Sequence, residues 1–189
     1  MKTKFFLGIR LNTTSHKLIY NKAPYTGDFA AIPSIQFGYH ISKRTSMQIG
    51  IAYGNHQFDT WAIYRTADGK LQENYIYSKT HAVVVPLTLR YILSNPNRRL
   101  QVFGSASFIP TYGTISSKKT EKHDDITTVT YNASTSGLNA FITAGVGLDY
   151  HISRRFEGYG EVILINNNLQ DKLRLNAFKS LGLGVNYKL

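Results

Sequence analysis

The sequence predicts an all-β fold: an eight-stranded antiparallel up-and-down transmembrane β-barrel that occupies residues 1–189 as a single domain. Three observations support this prediction. Apolar residues alternate with polar or small residues along eight segments. The connections between the segments alternate between short and long. No apolar run approaches the ~20 residues that a membrane-spanning helix needs.

The amino-acid composition excludes further classes of protein. The chain has no cysteine, which excludes a disulfide framework and a thiolate metal site. It has 13 Tyr and 10 Phe but only 17% charged residues, and strands that face lipid at membrane boundaries are rich in such aromatics. The apolar run at residues 5–9 is too short for a signal-peptide core. We interpret the chain as a mature form in which a start methionine replaces the export signal.

Alternation with a period of two defines the predicted strands. One face carries Leu, Ile and Val with Tyr near the strand ends, and the other carries Gly, Ser, Thr, Gln and Arg. The fifth segment alternates less cleanly because of Phe103 and Gly104, and the seventh has the weakest pattern. The eight segments are residues 7–12, 35–41, 47–54, 83–91, 100–108, 140–150, 156–165 and 181–188.

The connections predict two different barrel ends. Short turns are expected around residues 43–44, 95–97 and 154–155, and long loops at residues 13–30, 113–137 and 166–174 and around Asp68-Gly69-Lys70. The Asp-Gly pair is a hairpin signal, so the third and fourth strands should extend past the membrane before they turn. Residues 113–137 are rich in Ser, Thr, Lys and Asp, which predicts a solvated, mobile loop. Short turns at one end and long loops at the other are typical of outer-membrane barrels.

A soluble barrel that binds a small ligand, such as a lipocalin-like carrier, is the competing structure. Such a carrier turns its apolar face towards the cavity and its polar face towards water. Here the polar face suits a narrow, hydrogen-bonded lumen, and the apolar face suits a lipid band with aromatic girdles. The sequence therefore favours the bacterial outer membrane as the location and outer-membrane lipids as neighbours.

Three segments carry a resemblance to a known family. They are Val-Val-Val-Pro-Leu-Thr-Leu-Arg-Tyr at residues 83–91, Gly-Val-Gly-Leu-Asp-Tyr within residues 144–156, and Leu-Gly-Leu-Gly-Val-Asn-Tyr-Lys-Leu at residues 181–189. They resemble strands of small eight-stranded outer-membrane barrels of Bacteroidetes, which include PorT-like barrels tied to protein secretion and share architecture with OmpX and the OmpA membrane domain. Such barrels commonly end on an aromatic residue, whereas this chain has Tyr187 two residues before its final Leu189.

Four charged residues fall on the inward face: Arg10, Arg90, Asp149 and Glu161. Isolated charges in a dry interior cost several kcal/mol each, so we expect these side chains to form a polar network in the lumen. Arg90 and Glu161 are the preferred partners. The expected role of the network is structural and not catalytic.

A basic rim is predicted at the short-turn end and accounts for much of the net charge of +11. Lipid phosphates could attract these side chains at the headgroup level. An acidic periplasmic or outer-membrane protein partner could also dock there. The distribution argues against nucleic acid. The rim consists of Lys43, Arg44, Arg98, Arg99, Arg154 and Arg155, with Lys2, Lys4 and Lys188 at the same end.

Candidate chemistry is weak, and we predict no catalytic, cofactor-binding or metal-binding residue. His40 and His151 fall on opposite strands of the predicted barrel, too far apart to share an ion. His151-x-Ser153 with Glu161 resembles a lipid A deacylase pattern, which leaves a lipid-modifying deacylase or acyltransferase as an alternative function. The same His-x-Ser occurs at residues 40–42, however, and both copies lie at short turns. A pore is disfavoured because side chains fill an eight-stranded interior. A structural, scaffold or interaction protein, with a place in a secretion or assembly complex, is therefore the preferred function.

Overall fold

The computed structural model describes residues 4–20, 27–65, 71–123, 126–170 and 177–189. No helix among these residues is long and apolar enough to cross a membrane. The strands are β1 (Phe5–Asn12), β2 (Ser15–Leu18), β3 (Gly27–His40), β4 (Thr45–Arg65), β5 (Leu71–Val84), β6 (Leu87–Ile92), β7 (Leu100–His123), β8 (Ile126–His151), β9 (Phe156–Asn168) and β10 (Ala177–Lys188).

Antiparallel pairing joins these strands into a closed ring of eight, in the order β1, β3, β4, β5 with β6, β7, β8, β9, β10 and back to β1. β5 and β6 form one barrel strand that is interrupted at Val85 and Pro86, because proline has no N–H to donate to the ladder. The ring closes between the first and last strands, where Phe6 pairs with Lys188 and Asn12 with Gly182. The predicted eight-stranded antiparallel barrel is confirmed. β2 is additional and continues β1 along the upper part of β3.

The two faces of the ring differ as the alternation predicts. Outward-facing Ile9, Ile51 and Leu183 are 59%, 58% and 52% exposed, whereas inward-facing Arg10 and Glu161 are 5% and 2% exposed. An apolar outer belt of this kind is favourable against lipid and costly against water. Closure also pairs the backbone groups without a free edge, as lipid requires. The soluble-carrier alternative is therefore wrong.

Several strands run beyond the predicted membrane segments. The prediction of a loop over residues 113–137 is wrong, because β7 runs to His123 and β8 begins at Ile126, and the two strands pair with each other over these described residues. Ile115 and Ser117 at its base are buried, but beyond Ser117 the described side chains on both faces are exposed or half-buried, so no apolar alternation reveals that part. Hydroxyl pairs support the hairpin, at 2.9 Å between Thr114 and Ser136 and 3.0 Å between Ser116 and Ser134.

The other long connections differ less from expectation. β4 reaches Arg65 and β5 begins at Leu71, so the predicted extension of these two strands is confirmed. Asp68-Gly69-Lys70 itself lies outside the described residues. The predicted loop over residues 13–30 contains β2 and the start of β3, and β9 extends to Asn168 into the predicted loop that begins at residue 166.

The interior has two levels. The half near the short turns is polar and contains the charged side chains. The half near the long loops contains an apolar cluster together with buried His16, Thr111 and Asn139, so the expected polar, hydrogen-bonded lumen is interrupted there by apolar packing. Leu18 of β2 enters this cluster and gives inward-facing apolar residues of the surrounding strands a surface to pack against. The cluster consists of Leu18, Phe29, Ala52, Ala82, Val84, Ile109, Ile115 and Phe141.

Candidate functional site

The charged lumen cluster brings together four strands of the ring. β1 supplies Arg10, β6 supplies Arg90, β8 supplies Asp149 and β9 supplies Glu161. The Arg10 guanidinium donates to Glu161 Oε2 at 2.6 Å. Arg90 lies 3.7 Å from Asp149 and 3.8 Å from Glu161. Two positive and two negative groups thus face one another, which offsets the cost of burying each charge alone.

Aromatic rings complete the environment of Arg90. Its guanidinium carbon lies 4.5 Å from the centre of the Phe103 ring and 3.8 Å from the centre of the Tyr159 ring. Both distances fit cation–π attraction, which is stronger where the cation is desolvated. The Arg90 ion-pair distances exceed ordinary hydrogen-bond length. Arg90 is therefore held by charge and by ring faces more than by direct hydrogen bonds.

The geometry adds partners that sequence reasoning missed. Arg10 is the closest ion-pair partner of Glu161, closer than the expected Arg90. The Ser105 hydroxyl also donates to Glu161, and the Tyr159 hydroxyl donates to Gln36 Oε1 at 3.2 Å. The sequence did indicate that Phe103 faces inward, because it lies two residues from inward-facing Gln101 and two from inward-facing Ser105 on the same strand. Its aromatic character made it look like an interruption of the pattern.

A segment from the first long connection closes the lumen at the loop end. Tyr20 donates its hydroxyl to Gly113 O at 2.6 Å and to Gly137 O at 3.2 Å, on β7 and β8. Asn168 of β9 donates to Lys17 O at 2.8 Å. Burial raises the pKa of the Tyr20 hydroxyl. This segment crosses from the β1 side of the ring to the β8 side, and with the apolar cluster it fills the interior.

The basic rim lies at the short-turn end, where all six of its side chains are exposed. Two of them are partly engaged by the barrel itself. Arg44 donates to Ile92 O and Ser94 O, each at 3.3 Å, and Arg155 donates to the Tyr187 hydroxyl at 3.0 Å. Inside this rim, Glu157 lies 2.9 Å from Lys188 and 3.4 Å from His151.

The His-x-Ser pairs have a structural explanation in the turns. Ser42 Oγ accepts hydrogen bonds from the backbone N–H groups of Arg44 and Thr45, at 3.1 and 3.0 Å. Ser153 Oγ accepts from Arg155 and Phe156 in the same way, at 3.2 and 3.0 Å. The repeated motif therefore reflects shared turn chemistry of the kind that serine commonly provides.

The candidate deacylase residues are not brought together as a catalytic site. Ser153 closes an exposed turn, whereas Glu161 is buried and bound by Arg10 and Ser105. His151 lies near Glu157 instead. Among the described residues, no group of three or more His, Cys, Asp or Glu side chains is arranged to hold a metal ion.

A closed antiparallel ring with an apolar outer belt and a filled interior defines an integral outer-membrane β-barrel protein. A family model described as outer membrane protein beta-barrel domain matches residues 3–187. The chain belongs to this family, and its location is the bacterial outer membrane. No curated protein matches the chain.

Solved barrels from several bacteria have a similar fold. The N-terminal β-barrel domain of Pseudomonas aeruginosa OprF is 14% identical, with 99% of this chain and 98% of that chain covered and a TM-score of 0.49. Yersinia pestis Ail, the attachment invasion locus protein, is 12% identical in its complex with the heparin analogue sucrose octasulfate, with 98% and 97% covered and a TM-score of 0.45. Acinetobacter baumannii CarO2 is 10% identical, with 100% of both chains covered and a TM-score of 0.46. These likenesses concern the fold alone.

Proposed function

We propose that this outer-membrane barrel is a non-enzymatic scaffold or interaction protein that serves as an accessory component of a secretion or assembly complex. The observation that carries the proposal is the filled interior. An ion cluster occupies one level and an apolar cluster the next. The surfaces at the two ends of the barrel are therefore the parts available to bind a partner. Three segments resemble small outer-membrane barrels of Bacteroidetes, a family that includes PorT-like barrels tied to protein secretion, and this resemblance supports a place in protein secretion.

The basic rim is the proposed docking surface. In this proposal the short turns face the periplasm, and the rim attracts an acidic segment of a protein partner, since complementary charge orients and speeds association. Anchoring to lipid phosphates is the competing use of the same side chains. Arg44 and Arg155 also bond to the barrel, so their removal could disturb the fold. Lys43, Arg98 and Arg154 offer one exposed cation per turn for a cleaner test.

The test replaces Lys43, Arg98 and Arg154 together with Gln and measures capture of protein partners from native membranes by cross-linking. We expect the triple variant to capture several-fold less partner than the wild type at low salt. Capture by the wild type should fall similarly at about 1 M salt, where the Debye length shortens to about 3 Å. The control replaces Lys17, Arg65 and Lys79 with Gln, which removes the same charge at the loop end. Unchanged capture, with loss only of membrane insertion or detergent stability, would assign the rim to lipid.

The alternative functions have direct assays. Purified barrel incubated with radiolabelled lipopolysaccharide should neither release nor transfer fatty acid, and release would support the lipid-modifying enzyme instead. In planar bilayers the barrel should show no steady, large conductance, because the interior is filled at two levels. Such a conductance would contradict the filled lumen on which the proposal depends.

A further inference from the structure

An open cleft of about 540 Å³ lies on the strand extension above the membrane belt. It is formed by the parts of β4, β5 and β7 that continue past the predicted membrane segments. Its walls combine three aromatic rings with two lysines and one carboxylate. The lining residues are Trp61, Glu73, Tyr75, Tyr77, Lys118, Thr120 and Lys122.

Strand register explains why these side chains meet. Trp61 is directly opposite Tyr75, and Tyr75 is directly opposite Thr120. One step away along the strands, Tyr77 is opposite Lys118. Side chains in such cross-strand positions lie on one face within contact distance. The rings of Trp61 and Tyr75 thus form an aromatic floor. Lys118 lies on one side of this floor, and the pair of Glu73 and Lys122 lies on the other.

The cleft faces sideways, away from the barrel axis. On β4, Tyr53 is exposed on the outer belt, whereas Gly54 is buried against Phe29 inside the barrel. Trp61 shares the parity of Tyr53, and the pairing of β4 with β5 has no register shift between them. At ~3.3 Å per residue and a tilt of ~40°, Trp61 lies roughly 20 Å above Tyr53.

Lipid burial does not explain the aromatic floor. Between Tyr53 and Trp61, the outward positions of β4 are Asn55, Gln57 and Asp59, so the apolar belt has ended below the cleft. Trp61 is nevertheless 61% exposed and Tyr75 is 42% exposed. Exposed aromatic clusters rimmed by polar residues commonly mark binding surfaces. With the short turns facing the periplasm, as in the proposed function on which this inference rests, the neighbours at this height on a lateral face are the saccharides of the surrounding lipopolysaccharide.

The side-chain chemistry fits an anionic sugar. Aromatic rings offer flat apolar faces to the C–H groups of a sugar ring, and lysine ammonium groups bind phosphate or carboxylate as point charges. Glu73 can accept hydrogen bonds from sugar hydroxyls. We propose that this cleft binds an anionic oligosaccharide of the lipopolysaccharide around the barrel. A sugar ring rests on Trp61 and Tyr75, and its anionic group lies towards Lys118 and Lys122.

The chain has one tryptophan, Trp61, so its fluorescence reports on the cleft directly. The full chain in phosphatidylcholine nanodiscs is titrated with phosphorylated core oligosaccharide that has been released from lipopolysaccharide by deacylation. We expect a saturable change in Trp61 emission. The double variant Lys118→Gln/Lys122→Gln should raise the dissociation constant about tenfold, and Tyr75→Ala should also weaken binding. All three positions are exposed, so folding should be preserved.

The controls separate the cleft from general charge effects. The double variant Lys43→Gln/Arg98→Gln removes two charges at the opposite end and should bind like the wild type. A neutral dextran oligosaccharide and inorganic phosphate should each bind at least tenfold more weakly than the phosphorylated oligosaccharide. The proposal is overturned by an unsaturable signal, by equal binding of inorganic phosphate, or by equal loss in the two double variants.

Discussion

Replacing Glu161 with Gln tests the structural role of the lumen cluster. The substitution nearly keeps the shape of the side chain but removes one of the two carboxylates that face the two arginines. Arg10 then loses a partner at 2.6 Å, and Arg90 loses one at 3.8 Å. Because Glu161 is only 2% exposed, water cannot readily replace the lost charge. The barrel would therefore bury an uncompensated positive charge.

The distances set the expected size of the effect. With an effective dielectric constant of about 20, the two attractions amount to about 6 and about 4 kcal/mol before desolvation is subtracted. Removing one partner from a buried ion pair typically costs about 3–5 kcal/mol net. We expect Glu161→Gln to lower the free energy of unfolding by that amount. Native proteins have only about 5–15 kcal/mol in total, so the loss should be easily measured.

The assay is unfolding by urea in phospholipid vesicles, followed by loss of the β-sheet circular dichroism. Glu73→Gln, at a half-buried position on the strand extension outside the lumen, is the control and should change stability by less than about 0.5 kcal/mol. The double variant Arg10→Gln/Glu161→Gln should cost about 2 kcal/mol less than the sum of the two single variants. A loss below about 1 kcal/mol for Glu161→Gln, or strictly additive variants, would refute the reasoning.

Three further predictions use the same assay. Gly147→Ala places a methyl group against the ring of Phe103 and a backbone carbonyl of β9, so it should cost about 1–3 kcal/mol, whereas lipid-facing Gly104→Ala, with its nearest neighbour at 3.9 Å, should cost little. Ile49→Lys on the lipid belt should lower the free energy of unfolding by about 2–4 kcal/mol if it lies near the membrane midplane. Ile63→Lys on the extension should lower it far less, and equal losses would contradict the assigned membrane level. Tyr20→Phe removes the hydroxyl bonds that close the lumen and should cost about 1 kcal/mol, and an unchanged stability would show that closure does not depend on them.

Alternation alone was enough to predict the ring and the inward direction of its charges. A period of two fixes the face of every residue once one side is known, so Arg90 and Glu161 were placed inside from the sequence. Their distances depend on register and shear, which a single sequence does not encode. Arg10 therefore replaced Arg90 as the closest partner of Glu161.

The features that the sequence did not reveal fall into two groups. Some depend on contacts between residues far apart in the chain, and others lie where both faces of a strand have a similar environment. The path of Tyr20 across the mouth depends on carbonyl groups of β7 and β8, about a hundred residues away in the chain, and no local pattern reveals it. Beyond Ser117 the described part of the β7–β8 hairpin has no buried face, so its Ser- and Thr-rich strands read as a loop. Phe103 shows the opposite error, because its parity was informative but its apolar character obscured it.

The pairing of the first strand with the last has a consequence for how the barrel forms. Phe6 and Lys188 are nearly at opposite ends of the sequence, so their contact closes a loop of almost the whole chain. Until it forms, β1 and β10 each present a row of unpaired backbone groups, which hydrocarbon strongly disfavours. Partly zipped intermediates should therefore be unstable in the bilayer interior, and insertion should be cooperative. A substitution that blocks the β1–β10 seam, such as proline at Ile9, should slow membrane assembly far more than it disturbs any single hairpin.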